Sequence, residues 1–413
     1  MNRRRFLRTV GAGGMVGLNA GLAGCSQFSG GGSNEEDTGR AEACKPYEPT
    51  VTGQSGWRTV RGDPAGTGVV PASEAPEPPL SLDWTFTLGG MAGAIQPVAT
   101  TDRVYAHEYD SMLYAVDAES GEEVWGRRVD RPRGSLAIAD DVVVALADST
   151  VLGLDPETGE TRWTGPETHT ETFHGSPVIV DETVYVPTEL SLLALDLADG
   201  SVRWQHTTGE ETIATPAIVG NTVYYGDHDT YVYAVDAATG EERWRVKTNA
   251  HIDCNVSVGD GVVFAGSKEG IIRALDAGSG EHIWTHDLGA EPNAIATDGS
   301  HVYAHTRGQL HALETSSGAS CWSTAYGDTR GIGVAVGGGR VYVPLTEAGF
   351  TEPRSEYGTR PGVLDAATGE TLAQTQGEFE SDYARFYKGS AVTDGAVYAS
   401  GVGEGGITLA RFS

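Results

Sequence analysis

The sequence predicts an all-β chain: an eight-bladed β-propeller of four-stranded antiparallel blades, closed by pairing an N-terminal strand with the C-terminal blade. Three observations lead there. The first is a recurring phrase, an apolar run, an acidic residue, a Gly-containing turn and then Trp. Its acidic anchors are Asp117, Asp155, Asp196, Asp236, Asp276, Glu314 and Asp365, at steps of 38, 41, 40, 40, 38 and 51 residues. A Trp follows eight residues after each of the first six, at Trp125, Trp163, Trp204, Trp244, Trp284 and Trp322, and Ala373 takes that place in the seventh. A period near 40 built from short β-runs and tight turns is the pattern of propeller blades. The second is a count of blade starts. Strand pairs one and two begin at Val98/Val104, Leu136/Val142, Val178/Val184, Ile218/Val223, Val256/Val262, Ile295/Val302, Val334/Val341 and Val392/Val397, which makes eight. The third is that the ends complement each other. The eighth copy stops at residues 407–413 without a fourth strand, and Leu82-Asp83-Trp84-Thr85-Phe86 is a fourth strand with no blade before it. Pairing the two closes the ring and removes exposed edges.

Each element of a blade has a local reason. In the fourth copy residues 215–219, 223–226, 231–236 and 242–246 read as successive strands. Val, Ile, Tyr and Trp alternate there with small or polar residues, as half-buried antiparallel strands require. Asp236-Ala237-Ala238-Thr239-Gly240 supplies the hairpin between strands three and four. Asp can accept backbone N–H bonds, and Gly can take φ > 0 without strain. The recurring Trp, with Trp84 as its N-terminal counterpart, is large enough to fill the space between neighbouring blades. Repetition in every blade gives the acid and the Trp a structural role.

The chain carries 57 acidic against 28 basic residues, a net charge of −29, and only four lysines, Lys45, Lys247, Lys268 and Lys388. The acids are spread through every blade, which reads as adaptation to high salt rather than as one acidic site. Nucleic-acid binding by a basic face is excluded. Four cysteines, Cys25, Cys44, Cys254 and Cys321, show no metal-ligand spacing. Cys254 opens an inner strand and Cys321 lies on an outer one, so these two are not expected to bond.

The N-terminus supplies the most specific short motif. Asn2-Arg3-Arg4-Arg5-Phe6-Leu7-Arg8 resembles the twin-arginine (Tat) export signal, and the Gly-rich stretch after it, residues 9–23, is too short to span a membrane. Leu22-Ala23-Gly24-Cys25 then matches a lipobox, in which the cysteine is lipidated. The expected organisation is a lipoprotein signal peptide over 1–24, a flexible acidic, Gly/Ser-rich tether over 25–56, a lead-in over 57–79 and the propeller over 80–413. As a flexible coil the tether reaches on the order of 30 Å. The expected location is the outer face of the cell membrane, with the membrane reached through a lipid on Cys25.

The blade phrase Tyr233-Ala234-Val235-Asp236-Ala237-Ala238-Thr239-Gly240-Glu241-Glu242-Arg243-Trp244 resembles the repeat of the pyrroloquinoline-quinone (PQQ) type propellers. Trp57 with Arg61-Gly62-Asp63-Pro64-Ala65-Gly66-Thr67-Gly68 resembles their lead-in. That superfamily includes quinoprotein alcohol dehydrogenases and the non-enzymatic BamB lipoprotein of outer-membrane barrel assembly. The acidity and the lipobox point towards a haloarchaeal surface member, whose envelope would have no outer membrane to assemble. The resemblance implies one of two functions. One is a membrane-anchored, monomeric, non-enzymatic module that binds a protein or a small polar ligand. The other is a small oxidoreductase using PQQ and calcium. The dehydrogenases' adjacent cysteine pair is absent from this sequence, and their calcium and catalytic motifs match no segment of it.

A functional face is expected where the two-three and four-one connections converge on the central channel, because irregular loops on a regular scaffold carry function. The candidate ligand residues there are His169, His174, His228, Asp229, His251, Asp253, Arg330, Asp382 and Arg385. An insertion over 345–361 accounts for the long step between the last two anchors. His and Asp side chains of this kind can hold a divalent metal, but no spacing compels one.

Overall fold

The computed structural model describes residues 56–89, 96–108, 111–139, 141–167, 175–208, 214–252, 254–325, 333–346, 359–374, 385–386, 390–403 and 406–413. Every regular element among them is a strand. Seven four-stranded antiparallel sheets follow one another in chain order, and an eighth sheet joins the two ends. Blades 1 to 7 span residues 98–128, 132–167, 178–207, 217–247, 257–287, 292–325 and 335–374. Blade 8 takes Ala391–Thr393, Ala396–Gly403 and Gly406–Phe412 from the end of the chain and Leu82–Gly89 from before blade 1.

The closing pair is antiparallel, with Leu82 opposite Phe412 and Phe86 opposite Leu409. Reciprocal backbone bonds between Ser81 and Ser413 at 2.9 and 3.1 Å end it. The expected ring closure therefore holds. Blade 8 departs from the four-strand pattern in one respect, since Arg385–Phe386 forms a short extra strand against Val402 and Gly401. Blade 7 departs in another. Its second and third strands run on to Thr346 and Thr359, beyond the length used in blades 1 to 6.

Neighbouring blades are joined by one repeated contact. Each recurring indole N–H donates to the carbonyl one residue past the acidic anchor of the next blade. Trp125 reaches Pro156 at 2.8 Å, Trp163 Leu197 at 2.8 Å, Trp204 Ala237 at 2.9 Å and Trp284 Thr315 at 2.7 Å. Trp84, from the N-terminal strand, makes the same bond to Ala118 of blade 1. The ring lies against the glycine of that turn: a Cβ on Gly240, whose φ is +74°, would sit 2.6 Å from Trp204. Glycine is thus required twice over, by the left-handed backbone and by the close approach. The anchor holds the turn from the other side, because Asp236 accepts the amides of Ala238 and Thr239 and pairs with Arg243 at 2.7 Å.

The exception at Ala373 follows from the closure. Blade 8 takes its last two strands from opposite ends of the chain, so no hairpin links them and no docking turn is offered to blade 7. The segment 70–80 fills that seam instead. Val70, Ala75 and Leu80 pack in one core cluster with Tyr342 of blade 7 and Val392 and Phe412 of blade 8. The Tyr342 hydroxyl bonds to the Pro76 carbonyl at 2.7 Å.

The lead-in also lines the channel. Its carbonyls at Trp57, Arg58, Pro64, Ala65, Thr67 and Gly68 accept the amides of Ala99, Ile138, Ile218, Val258, Thr297 and Val336, one from each inner strand of blades 1, 2, 4, 5, 6 and 7. All six bonds lie on the side of the one-two hairpins. Above them runs a polar collar, also passed from blade to blade. The Ser135 amide donates to Ser176 Oγ at 2.8 Å, the Ser176 amide to Thr215 Oγ1 at 2.9 Å and the Thr215 amide to Asn255 Oδ1 at 2.8 Å.

Cys254 is buried in the connection just before the inner strand Ser257–Gly259, outside any disulfide, and does not open that strand as its position in the repeat suggested. Cys321, on the outer strand of blade 6, is disulfide-bonded.

The Trp contact predicts a graded series. Trp204→Ala is expected to cost about 3 kcal/mol through the cavity it leaves. Trp204→Phe, which keeps a ring but loses the N–H, is expected to cost about 1 kcal/mol. Ala373→Trp should bring no gain, because blade 8 has no turn to receive the indole. Denaturant unfolding of the three variants checks the order.

Candidate binding face

The two-three and four-one connections meet on the face opposite the lead-in, and the best described part of that face joins blades 4 and 5. The second strand of blade 4, Thr222–Gly226, ends on a glycine because Ile252 packs directly over it; a Cβ there would meet the Ile252 side chain at 2.2 Å. Asp227 starts the turn, with its amide bonded to the Tyr231 carbonyl at 3.1 Å and its Oδ1 accepting the Tyr231 amide at 3.0 Å. The Asp227 carbonyl accepts from Ile252, and the His251 carbonyl accepts from Lys268 in the next blade's turn. Main-chain bonds thus tie two turns and the connection between them into one rim.

The side chains on this rim are polar and close. The imidazole rings of His228 and His251 lie 4.6 Å apart between centroids, tilted by 31°. His251 is exposed, while His228 and Asp229 are half-buried. Two of the chain's four lysines flank the rim: Lys268, and Lys247 beside Arg245, both cations lying about 5.5 Å from the Tyr231 ring centre.

In the same turn as His228 lies a group that sequence reasoning passed over. Asp227 is fully buried, and burial raises its carboxyl pKa to about 6. It faces a buried aromatic pair, Tyr233 stacked on Tyr225 at 5.1 Å, and the Tyr225 hydroxyl meets His206 Nδ1 at 2.5 Å. Burial, and then the Asp227 charge, hold the Tyr233 phenol above its usual range. A carboxylate that is costly to ionise, in the turn that carries His228, is the kind of feature that functional sites retain. The only sequence signal for it was its place in the Asp227-His228-Asp229 turn, where the flanking residues drew the attention.

The structure brings His228, Asp229 and His251 together. Arg385 lies on the extra strand of blade 8, away from that rim in the chain order of blades. His169, His174, Asp253, Arg330 and Asp382 lie outside the described residues, as do Cys25, Arg3 and Arg4. Asn255 belongs to the collar and accepts an Arg61 Nη1 bond through its carbonyl at 3.3 Å. Blade 6 holds further histidines that alternation disguised as ordinary strand residues. His305 is fully buried, its pKa lowered by desolvation to about 4, and His311 is mostly buried.

The channel axis is filled by the lead-in. Trp57 is 2% exposed, and Arg61 points inward, its pKa lowered by burial and partly restored by Cys254 and Asp63. A small pocket of about 10 Å³ lies between these residues and Gln96, Asn255 and Gly333, room for no more than one water. No group of three or more His, Cys, Asp or Glu side chains suited to a metal ion occurs among the described residues.

The Asp227 shift predicts a pH effect of defined sign. A folded pKa raised above the unfolded value of 3.8 contributes stability that is complete below that value and is lost as pH rises through about 6. Asp227→Asn keeps the acceptor for Tyr231 and removes the charge. It is expected to raise stability at pH 7.5 by on the order of 2 kcal/mol, with the gain vanishing near pH 4. Thermal melts at both pH values in matched salt measure it.

With this geometry in hand, relatives can be placed. A family model described as "Outer membrane protein assembly factor BamB" matches residues 47–268, 210–331 and 268–378. BamB from Moraxella catarrhalis superposes with a TM-score of 0.64 at 19% identity, covering 80% of this chain and 99% of that one. Quinohemoprotein alcohol dehydrogenase from Comamonas testosteroni gives 0.69 at 14% identity, covering 91% and 83%. The computationally designed Ika8 protein gives 0.64 at 17% identity, covering 78% and 98%. No curated protein matches the chain. Likeness at such identities shows the fold alone, and it is shared by an assembly factor, an enzyme and a design. The family match spans most of the chain, which is therefore a member of the BamB family of PQQ-type β-propellers.

Proposed function

We propose that the chain is a non-enzymatic binding scaffold, lipid-anchored through Cys25 on the outer face of the cell membrane. The observation that carries this reading is the occupied channel. The chain's own lead-in closes one end, and Arg61 and Trp57 fill the axis, so recognition falls to the rims. Membership of the BamB family supports a protein as the partner. The blade 4–5 rim supports a contact of mixed polarity, with two imidazoles and two lysines on an otherwise acid-rich chain.

A photo-crosslinking residue at His251 is expected to give a discrete adduct in cells. The same residue at Ser316, on an exposed turn of blade 6 at the opposite face, should give none. Adducts at both or neither would count against the rim. Titration of the mature protein with PQQ and Ca²⁺ is expected to show no uptake at high micromolar cofactor. Stoichiometric, calcium-dependent uptake would replace the scaffold by the quinoprotein oxidoreductase. Cys25→Ala is expected to move most of the protein from the membrane to the soluble fraction. Arg3→Lys with Arg4→Lys should leave precursor inside the cell. Fractionation and immunoblotting read both.

A further inference from the structure

The lead-in caps the inner strands at one register position, and blade 3 alone among blades 1 to 7 is left out. Six amides at that position donate to lead-in carbonyls at 2.7 to 3.0 Å. The corresponding residue of blade 3 is Ile179, which pairs with Val184 as Ile218 pairs with Val223 in blade 4. The Ile218 amide points away from its neighbouring strand to reach Pro64. By the same register the Ile179 amide points inward, and no lead-in carbonyl meets it. Exposure agrees: Ile138 and Ile218 are each 4% exposed, while Ile179 and Val180 are half-buried.

The cause is visible in the lead-in. Between Arg58 and Pro64 it leaves the wall and turns inward, with the Gly62 amide bonded to the Thr59 carbonyl at 3.1 Å, to carry Arg61 to the axis. That detour opens a cavity of about 530 Å³ between the lead-in and blades 2 and 3, a size ordinary for a ligand site. Ile138, Ile179, Val180 and Leu197 form an apolar wall, and Asp141 and Asp181 also line it. Trp57 borders the cavity, and its Nε1 is buried with no hydrogen-bond partner, a state that costs free energy unless an acceptor arrives.

The geometry points to a peptide-binding site in this cavity. An extended main-chain segment of a partner protein adds to the first strand of blade 3, and one of its carbonyls accepts the Ile179 amide. The six capped blades show the mode, since the lead-in docks on them by main-chain carbonyls alone. Four acids in the lining, Asp63, Glu74, Asp141 and Asp181, against one base, Arg58, select a neutral or basic segment. This site is on the face opposite the His228–His251 rim and stands independently of it.

The test uses a displayed library of random heptapeptides, panned on the mature protein and on Ile179→Pro. Proline removes an amide that meets no acceptor among the described residues, at a sheet edge that tolerates it. Ile218→Pro is the contrast, because it breaks the bond to Pro64, and its melting temperature should fall below that of Ile179→Pro. Peptides enriched on the wild type are expected to bind Ile179→Pro at least tenfold more weakly, and to slow hydrogen exchange of the Ile179 amide at least tenfold in the wild type. The exchange measurement needs no variant, so a poorly folded Ile179→Pro would leave the test intact. A library with no enrichment, or enriched peptides that leave Ile179 exchange unchanged, would overturn the site. Either result leaves the His251 crosslinking experiment to be judged separately.

Discussion

A ring of blades is only as strong as its weakest joint, and here each of seven joints is made by one indole. The Trp ring covers the glycine of the next blade's turn, and its N–H donates to a carbonyl of that turn, which in blade 4 also accepts the Tyr185 hydroxyl. Packing and hydrogen bonding therefore reinforce each other at the same place. The acidic anchor completes the arrangement by fixing the turn that presents both the glycine and the carbonyl. Aspartate, glycine and tryptophan recur together because none of the three works without the other two. Where the turn is missing, in blade 8, the indole facing it is missing as well, and Ala373 stands in its place.

The lead-in adds a second circle inside the first. The outer circle joins each blade to its neighbour, whereas the inner one is a single strand of chain that bonds to six inner strands and then runs out through the seam that lacks a Trp. It leaves the molecule asymmetric. One mouth of the channel is closed by main chain, and the other carries the connections whose sequences differ from blade to blade. The collar of Ser135, Ser176, Thr215 and Asn255 separates the two. Arg61 shows what this arrangement costs, because a guanidinium held in the interior must be balanced by neighbours such as the Asn255 carbonyl and Asp63.

The parts of the structure written in side chains were legible in the sequence. The spacing from Asp236 to Gly240 to Trp244 is a chemical unit, and so it survives from copy to copy. Ring closure was legible because Trp84 sat on an orphan strand and residues 407–413 lacked a fourth. The inner circle was not legible, since carbonyls of Pro64 or Thr67 bond to amides of Ile218 or Thr297 whatever the side chains are. Asp227 was misjudged for a related reason. Its burial comes from Ile252 and Tyr233, which reach it through the fold, while its neighbours His228 and Asp229 look equally polar in a turn. His305 was invisible because a buried histidine in a strand alternates as Tyr or Val does.

The pairing of Leu82–Gly89 with Gly406–Phe412 bears on how the molecule comes into being. The strand that completes the ring is made early in synthesis and must wait for the last residues of the chain. The lead-in waits too, because its carbonyls need blade 7. Until then the nascent chain holds an open sheet edge at each end of a growing arc, the state most prone to pairing with the wrong molecule. The fold is thus completed only once residues 406–412 have been made, in one closing event of very long sequence separation. A translocation machine that threads chains as they emerge would meet an unfinished arc, and one that accepts finished domains would meet a ring. The latter would suit the twin-arginine export expected from the sequence.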